Sequence, residues 1–331
     1  MRGILSRHAK GSVLIAVILR LDATRLVIGW WQECDIKYIY IYLYIFNITF
    51  SPSKQREAGD VLKPLKSLFC TFVLLVPLAV QAADTALAER SALNQILKRG
   101  ELRVGLEAGY MPFEMRDKKG DIIGFDVDLA RLMAKYMGVR LTLVNTQWDG
   151  IIPALLTDKF DLLMGGMTIT PERNLKVNFC DPYILIGQTL IVSKKLEGQI
   201  KSYRDLNDPK YTLATKLGTT GDIAARKFLP KAKLKQFESE ADGAQEVRSG
   251  RADAYVYDLP FNAIYVAQTP DKVWHLKEPF TQEALGWAVR KGDPDMMNWM
   301  NHFLAQIKRD GIYDALYKKW FEGTAWLQNV N

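Results

Sequence analysis

Asp161-Leu-Leu-Met-Gly-Gly-Met-Thr-Ile-Thr-Pro-Glu-Arg173 is the stretch whose reading decides the fold. It opens on an apolar, strand-like run, Leu162–Met164, and breaks at Gly165-Gly166. Thr170 before Pro171 reads as a helix N-cap followed by proline at the first helical position. A strand ending in glycines lets a ligand approach the backbone, because no Cβ stands in the way. Thr168 and Thr170 bring small hydroxyls to the same space, and Arg173 follows within the first helical turn. A guanidinium there can grip a carboxylate through two parallel hydrogen bonds. The stretch reads as a socket for the carboxylate end of a small molecule; its plainer reading is a strand–loop–helix with a surface arginine.

The same alternation runs outward on both sides. Residues 85–100 read as a short amphipathic helix closed by Gly100, and Leu102–Leu106 as a strand. A hairpin-like turn at Lys118–Asp121 precedes a helix, Leu129–Met137, that starts from Gly124-Phe-Asp-Val-Asp128 and closes at Gly138. Leu141–Val144 is a strand, and Trp148–Leu156 the next helix. A second series follows, with strands at Gln188–Val192, Tyr211–Thr215, Lys235–Phe237 and Ala254–Tyr257. Between them lie helices at Asp222–Phe228 and Ala241–Ser249. Glu283–Arg290 returns as one apolar strand, and helices Asp295–Arg309 and Tyr313–Phe321 end the series. Alternating strands and helices predict an α/β chain with a mainly parallel sheet.

Upstream the pattern changes. Lys63 and Lys66 precede the 13-residue apolar run Leu68–Val80, and Val80-Gln-Ala82 precedes Ala83. This is the charged, apolar and small-residue order of a secretory signal peptide, predicted over residues 61–82 with cleavage after Ala82. The run is too short for a bilayer of ~30 Å, which needs about 20 residues. Residues 1–60 include the low-complexity run Tyr38–Phe46 and read as a mis-called upstream extension, with Val61 the true start. The rival is a membrane anchor built on the apolar Ile36–Phe50. Cleavage leaves 34 basic and 32 acidic residues, so most of the formal +7 belongs to the leader and carries no implication of nucleic acid. Of Cys34, Cys70 and Cys180 only the last survives cleavage, which excludes an intramolecular disulfide and makes Cys180 a small buried residue.

The residue types also exclude several chemistries. His275 and His302 are the histidines left after cleavage, and neither lies near a cysteine or a second histidine in sequence, so neither a metal site nor a Ser-His-Asp hydrolase is expected. Gly218-Thr-Thr-Gly221 lacks the Gly-Lys-Ser/Thr ending of a phosphate loop and reads as a helix N-terminus offering N–H groups to a smaller anion. No cofactor is implied. What remains sits at strand ends, where α/β sheets bind ligands. Tyr110 and Trp148 can wall a side chain or simply pack. Glu107 and Lys216 can face a ligand, face solvent or pair with each other; Asp258 can take a cation or cap a helix. Together with Arg173 they supply an acid for an ammonium, a base for a carboxylate and aromatic walls, the inventory for a zwitterionic α-amino acid.

Residues from about 95 to 322 resemble the polar-amino-acid family of periplasmic solute-binding proteins that serve ABC importers. The blocks that carry the resemblance include Leu102–Glu114, Gly124–Ala130, Trp148–Leu155, Met167–Arg173 and Phe179–Tyr183. Lys216–Thr220, Gly250–Ala254 with Asp258–Pro260, and Gly311–Asp314 continue it. The resemblance implies the two-lobe type II periplasmic-binding fold, with helices on both faces of each sheet. Lobe 1 would comprise residues 95–185 and 288–322, lobe 2 residues 186–287, with crossings near Leu185–Gly187 and Leu285–Trp287. Arg173 would then clamp the ligand carboxylate, helped by N–H groups of Thr168 and Thr220. Asp258, the Gly166 carbonyl and the Thr168 hydroxyl would hold the ammonium, and Tyr110 and Trp148 would sandwich the side chain. Glu107 and Lys216 would stand at its polar tip. Gly165 and Gly166 depart from the serines common in relatives. An acceptor and a donor at the tip suit a carboxamide, so glutamine ranks first and basic amino acids second. The implied protein is an exported, periplasmic, non-enzymatic monomer that works with a membrane permease. A cyclohexadienyl dehydratase-like enzyme on the same scaffold is the alternative.

Overall fold

The computed structural model describes residues 91–330, together with the backbone of an antiparallel hairpin, β1 (Ile15–Leu21) and β2 (Thr24–Trp30). The expected signal segment at 61–82, its cleavage site and the rest of residues 1–60 lie outside the described residues. Among the described residues no helix is long and apolar enough to cross a membrane.

The first sheet grows from β3 (Glu101–Leu106), which pairs in parallel with β6 (Arg140–Asn145) and β7 (Leu162–Leu163). The returning strand β16 (Ala288–Val289) runs antiparallel to β7 and to β8 (Asn178–Phe179). A second sheet repeats the plan. There β11 (Thr212–Lys216) pairs in parallel with β12 (Lys233–Phe237) and β13 (Ala254–Asp258). Antiparallel to β13 and to β14 (Val273–Leu276) runs β10 (Gln188–Ser193). Each sheet is therefore parallel except for one reversed strand. Where the chain passes from one sheet to the other and back, β9 (Ile184–Ile186) and β15 (Glu283–Leu285) pair as a two-stranded antiparallel ribbon. A small hairpin, β4 (Met115–Arg116) and β5 (Ile122–Ile123), flanks the first sheet.

Side chains alternate across each sheet, as the two-residue strand period requires. Leu162 packs into a cluster with Phe125, Leu129 and Met133 of α2 (Phe125–Met137), while the adjacent Leu163 faces Ile151 and Leu155 of α3 (Trp148–Leu156). In the second sheet Tyr255 packs with Phe261, and Val256 with Leu213 and Leu229. Helices thus cover both faces: the α/β class is the one the alternation predicts, and the two lobes are those the resemblance implies.

Glycines and hydroxyls close the helices as read. Ser91 caps α1 (Ala92–Arg99), and Gly100 ends it at φ +71°. The helix is shorter than the predicted 85–100, whose first six residues lie outside the described ones. Two expectations need correction. Glu283–Arg290 is not one strand: Leu285 pairs with Ile184 in the ribbon, whereas Ala288 pairs with Leu163 and Phe179 in the first sheet. The break falls at Gly286, where a Cβ would stand 2.8 Å from the end of the Ile169 side chain, so the chain changes partner at a glycine that lets Ile169 pack close. Tyr313–Phe321 is also two pieces, a short helix Ile312–Tyr317 and a wider turn Lys318–Glu322. Helix α7 (Leu259–Gln268, counting α4 as Pro171–Asn174, α5 as Thr220–Phe228 and α6 as Glu240–Arg248) was not legible, because it is apolar on most of its surface and lacks a helical stripe. Cys180 is buried and free; burial pushes its thiol up to about 12.

Candidate functional site

Thr170 caps α4 through a 3.2 Å bond from the Arg173 N–H, with Pro171 at the first position, as read. This one-turn helix aims Arg173 back over its own loop. The guanidinium donates to the Thr168 carbonyl at 2.9 Å and to the Gly218 carbonyl, from the second lobe, at 3.2 Å. It also lies over the Trp148 ring, 5.3 Å from the centroid. Burial lowers its pKa, opposed by the negative charges of Glu283 and Asp258. The Trp148 indole N–H reaches the same Gly218 carbonyl at 3.1 Å, so two side chains of one lobe hold one loop of the other.

Gly166 takes φ +58°, and a Cβ there would sit 2.2 Å from Cε1 of Tyr110. The glycine is therefore required twice, by its backbone conformation and by the tyrosine ring. Tyr110 is buried and packs on Phe113 and Tyr257, at centroid distances of 4.6 and 5.5 Å. Its hydroxyl donates across the lobes to the Asp258 carboxylate. The Gln188 amide N–H also donates to Asp258. Although Asp258 occupies the N-cap position of α7, its side chain makes no capping bond; it serves the cavity instead. Burial, then the neighbouring Glu283, raises it to about 7, against the hydrogen bonds and Arg173. Thr168 donates to Glu283 at 2.9 Å, and its hydroxyl is 3.3 Å from that of Thr220, the first residue of α5.

Eight of the nine predicted site residues line one narrow cavity: Glu107, Tyr110, Trp148, Gly166, Thr168, Arg173, Thr220 and Asp258. Lys216 does not line it. It ends β11 with 1% of its side chain exposed, and its ammonium donates to Glu107 and, at 2.6 Å, to Glu240. The expectation that Lys216 offers its donors to a ligand tip is corrected here: two of its three N–H donors go to carboxylates, and Lys216 and Glu107 pair with each other. Burial raises the Glu107 pKa, while Lys216 pulls it down.

Sequence reasoning missed Glu240 and Glu114. Glu240 opens α6 behind the Ser239 cap, whereas the sequence reading began that helix at Ala241. The fold supplies the link: β12 pairs with β11 so that Phe237 lies opposite Lys216, and Glu240, three residues later, returns to the lysine. Glu114 lines the cavity fully buried, and its Oε2 has no hydrogen-bond partner among the described residues. Burial, reinforced by nearby Asp126, pushes its carboxyl well above the ordinary carboxylate range. Asp126 beneath it accepts from the Tyr183 hydroxyl at 2.9 Å and from the Gly166 N–H at 3.1 Å. Among the described residues no group of three His, Cys, Asp or Glu side chains could hold a metal ion.

Two α/β lobes joined by a paired ribbon, with a polar cavity closed by contacts from both, define a two-lobe binding protein of the type II periplasmic-binding fold. Residues 102–323 match the family model for bacterial extracellular solute-binding proteins, family 3, and the chain belongs to that family. It is 32% identical to the L-cystine-binding protein TcyJ of Escherichia coli (strain K12) over 249 residues, 75% of this chain and 93% of that protein. A structure from Wolinella succinogenes DSM 1740, assigned to the binding component of an ABC transporter and complexed with lysine, is 58% identical. It superposes with a TM-score of 0.68, covering 70% of this chain and 99% of that one. The ancestral amino acid-binding protein AncCDT-1, a precursor of cyclohexadienyl dehydratase, is 54% identical with a TM-score of 0.66, again over 70% and 99% of the two chains. A second structure describes AncCDT-1 as a cationic amino acid solute-binding protein.

Proposed function

We propose that this protein is the exported receptor of an ABC importer and binds an L-α-amino acid with a cationic side chain between its two lobes. Arg173 takes the ligand carboxylate, with N–H groups of Thr168 and Thr220 beside it; Asp258, the Gly166 carbonyl and the Thr168 hydroxyl take the ammonium. Tyr110 and Trp148 wall the side chain. One observation carries the choice of side chain: at the far end two carboxylates, Glu107 and Glu240, surround a single lysine. The ranking drawn from sequence puts glutamine first, with Glu107 and Lys216 as an acceptor and a donor at the ligand's polar tip; Glu240 beside them favours a cation instead. The lysine complex of the 58% identical neighbour supports the same choice.

Ligand contacts come from both lobes, so binding favours the closed form by its differential contacts, with β9 and β15 as the crossings that bend. Closure is what the membrane permease reads. A thermal-shift screen of the amino acids, followed by calorimetry, tests the reading: lysine and arginine stabilise the protein most, and a screen in which glutamine alone does so overturns the choice of side chain. Export is checked by N-terminal sequencing of the protein made in its own host, which should begin at Ala83 in the periplasmic fraction. The kinship with a dehydratase precursor keeps the enzymatic reading testable. Prephenate incubated with the protein should be recovered unchanged; turnover beyond stoichiometry would overturn the receptor assignment.

A further inference from the structure

We propose that Glu240 is the residue that sets the side-chain charge this receptor accepts, by turning a neutral Glu107–Lys216 pair into a site with one negative charge in excess. The inference rests on the receptor reading above and assigns a role within it.

The argument is a local charge balance. Lys216 is buried and gives hydrogen bonds to Glu107 and, at 2.6 Å, to Glu240. Glu240 is itself 3% exposed, and the same Oε1 also accepts from the Tyr257 hydroxyl at 3.1 Å. Two carboxylates share one ammonium, so the wall carries a surplus negative charge that the fold does not compensate at that point. The Lys216 ammonium also sits 5.6 Å from the Trp148 centroid, so this cluster stands against the aromatic wall past which the ligand side chain runs. Gly109 leaves the space Glu240 needs: a Cβ there would be 2.9 Å from Oε2. A ligand cation completes the balance in a site where water screens little, whereas a carboxamide leaves the surplus unmatched and a carboxylate adds to it. Without Glu240 the remaining pair is neutral, and the preference for a cation disappears.

Calorimetry with lysine and with glutamine on the wild type, Glu240→Gln and Lys216→Met decides it, with a thermal melt to show that each variant folds. Glutamine at position 240 keeps an oxygen for Lys216 and Tyr257 while removing the charge. The expected result is that Glu240→Gln lowers the lysine-to-glutamine affinity ratio by at least about tenfold. In Lys216→Met the ligand ammonium replaces the built-in one between the two carboxylates, so the ratio rises. A folded Glu240→Gln with an unchanged ratio overturns the proposal, as does a folded Lys216→Met in which the ratio falls. A wild type that binds glutamine more tightly than lysine overturns this proposal but leaves the amino-acid receptor intact. A wild type that binds no amino acid defeats the receptor reading, and this inference falls with it.

Discussion

Arg173 lines one end of the cavity and Lys216 stands behind the wall of the other, and the two cations are held in opposite ways. Arg173 gives its hydrogen bonds to two backbone carbonyls, those of Thr168 and Gly218. Lys216 gives its bonds to two carboxylates. Neutral acceptors are weaker partners for a cation than charged ones, so Arg173 can exchange a carbonyl for an incoming carboxylate at a gain. Lys216 has nothing to gain from a ligand: leaving its carboxylates would strand buried charge. One end of the cavity is built to change partners on binding and the other to keep them. On the proposed reading, a ligand is gripped at its backbone end and measured at its side-chain end.

Removing the exchangeable cation breaks this comparison most severely. Arg173→Ala should abolish amino-acid binding while the protein still folds, since a buried carboxylate would lose its charged partner at a cost of about 3–5 kcal/mol. Calorimetry reads this as a fall in affinity of more than about a hundredfold. Near-normal binding would mean that the carboxylate is held elsewhere.

Acidity sharpens the contrast next. Asp258 is raised to about 7 in the fold, from 3.8, by burial and by Glu283. Only its ionised form balances a ligand ammonium, so affinity should be full above about pH 8 and fall below 7, by at most about tenfold per unit. The ligand-free protein has the opposite sign. The native state holds this proton where the unfolded chain does not, so Asp258's contribution to stability is fully present below pH 4 and is lost as pH rises through about 7, at most about 1.4 kcal/mol per unit. Asp258→Asn should remove the pH slope of affinity between 6 and 8, along with much of the affinity. Asp126, also raised to about 7 by burial, keeps its own share of the stability slope in that variant. A slope of affinity that survives Asp258→Asn would place the titrating group elsewhere.

A smaller effect tests the backbone between the two ends. Gly166→Ala places a Cβ at φ +58° and 2.2 Å from the Tyr110 ring. The residue strain and the displaced ring together should cost about 2–4 kcal/mol of stability, with a lower melting temperature. Because Tyr110 touches Asp258 across the lobes, ligand affinity should fall as well. Loss of stability with unchanged affinity would separate Tyr110 from the ammonium end.

Much of the gripping end was legible in the sequence. The cap at Thr170, the proline after it and Arg173 in the first turn are local features, decided by backbone conformation within a few residues. The glycine at 166 was also legible as a close approach, although what approaches it, the Tyr110 ring, was not. The measuring end was far less so. Glu107, Lys216 and Glu240 come from the ends of β3 and β11 and the start of α6, and these charges meet only in the fold. Reading Lys216 without Glu240 made the tip neutral and favoured a carboxamide.

By itself the sequence determined the alternation of strands and helices, the caps and glycines that end them, and the capped turn that carries Arg173, because each depends on short-range periodicity, sterics or capping. Tertiary structure alone decided which strand partner follows Gly286, that Asp258 serves the cavity rather than its helix, and that Lys216 is held by two carboxylates. The physical reason is the range of the interactions. A hydrogen-bonded turn is settled within a few residues of chain, whereas the charge a buried group presents depends on every neighbour that folding brings within a few ångströms, and those neighbours come from distant parts of the sequence.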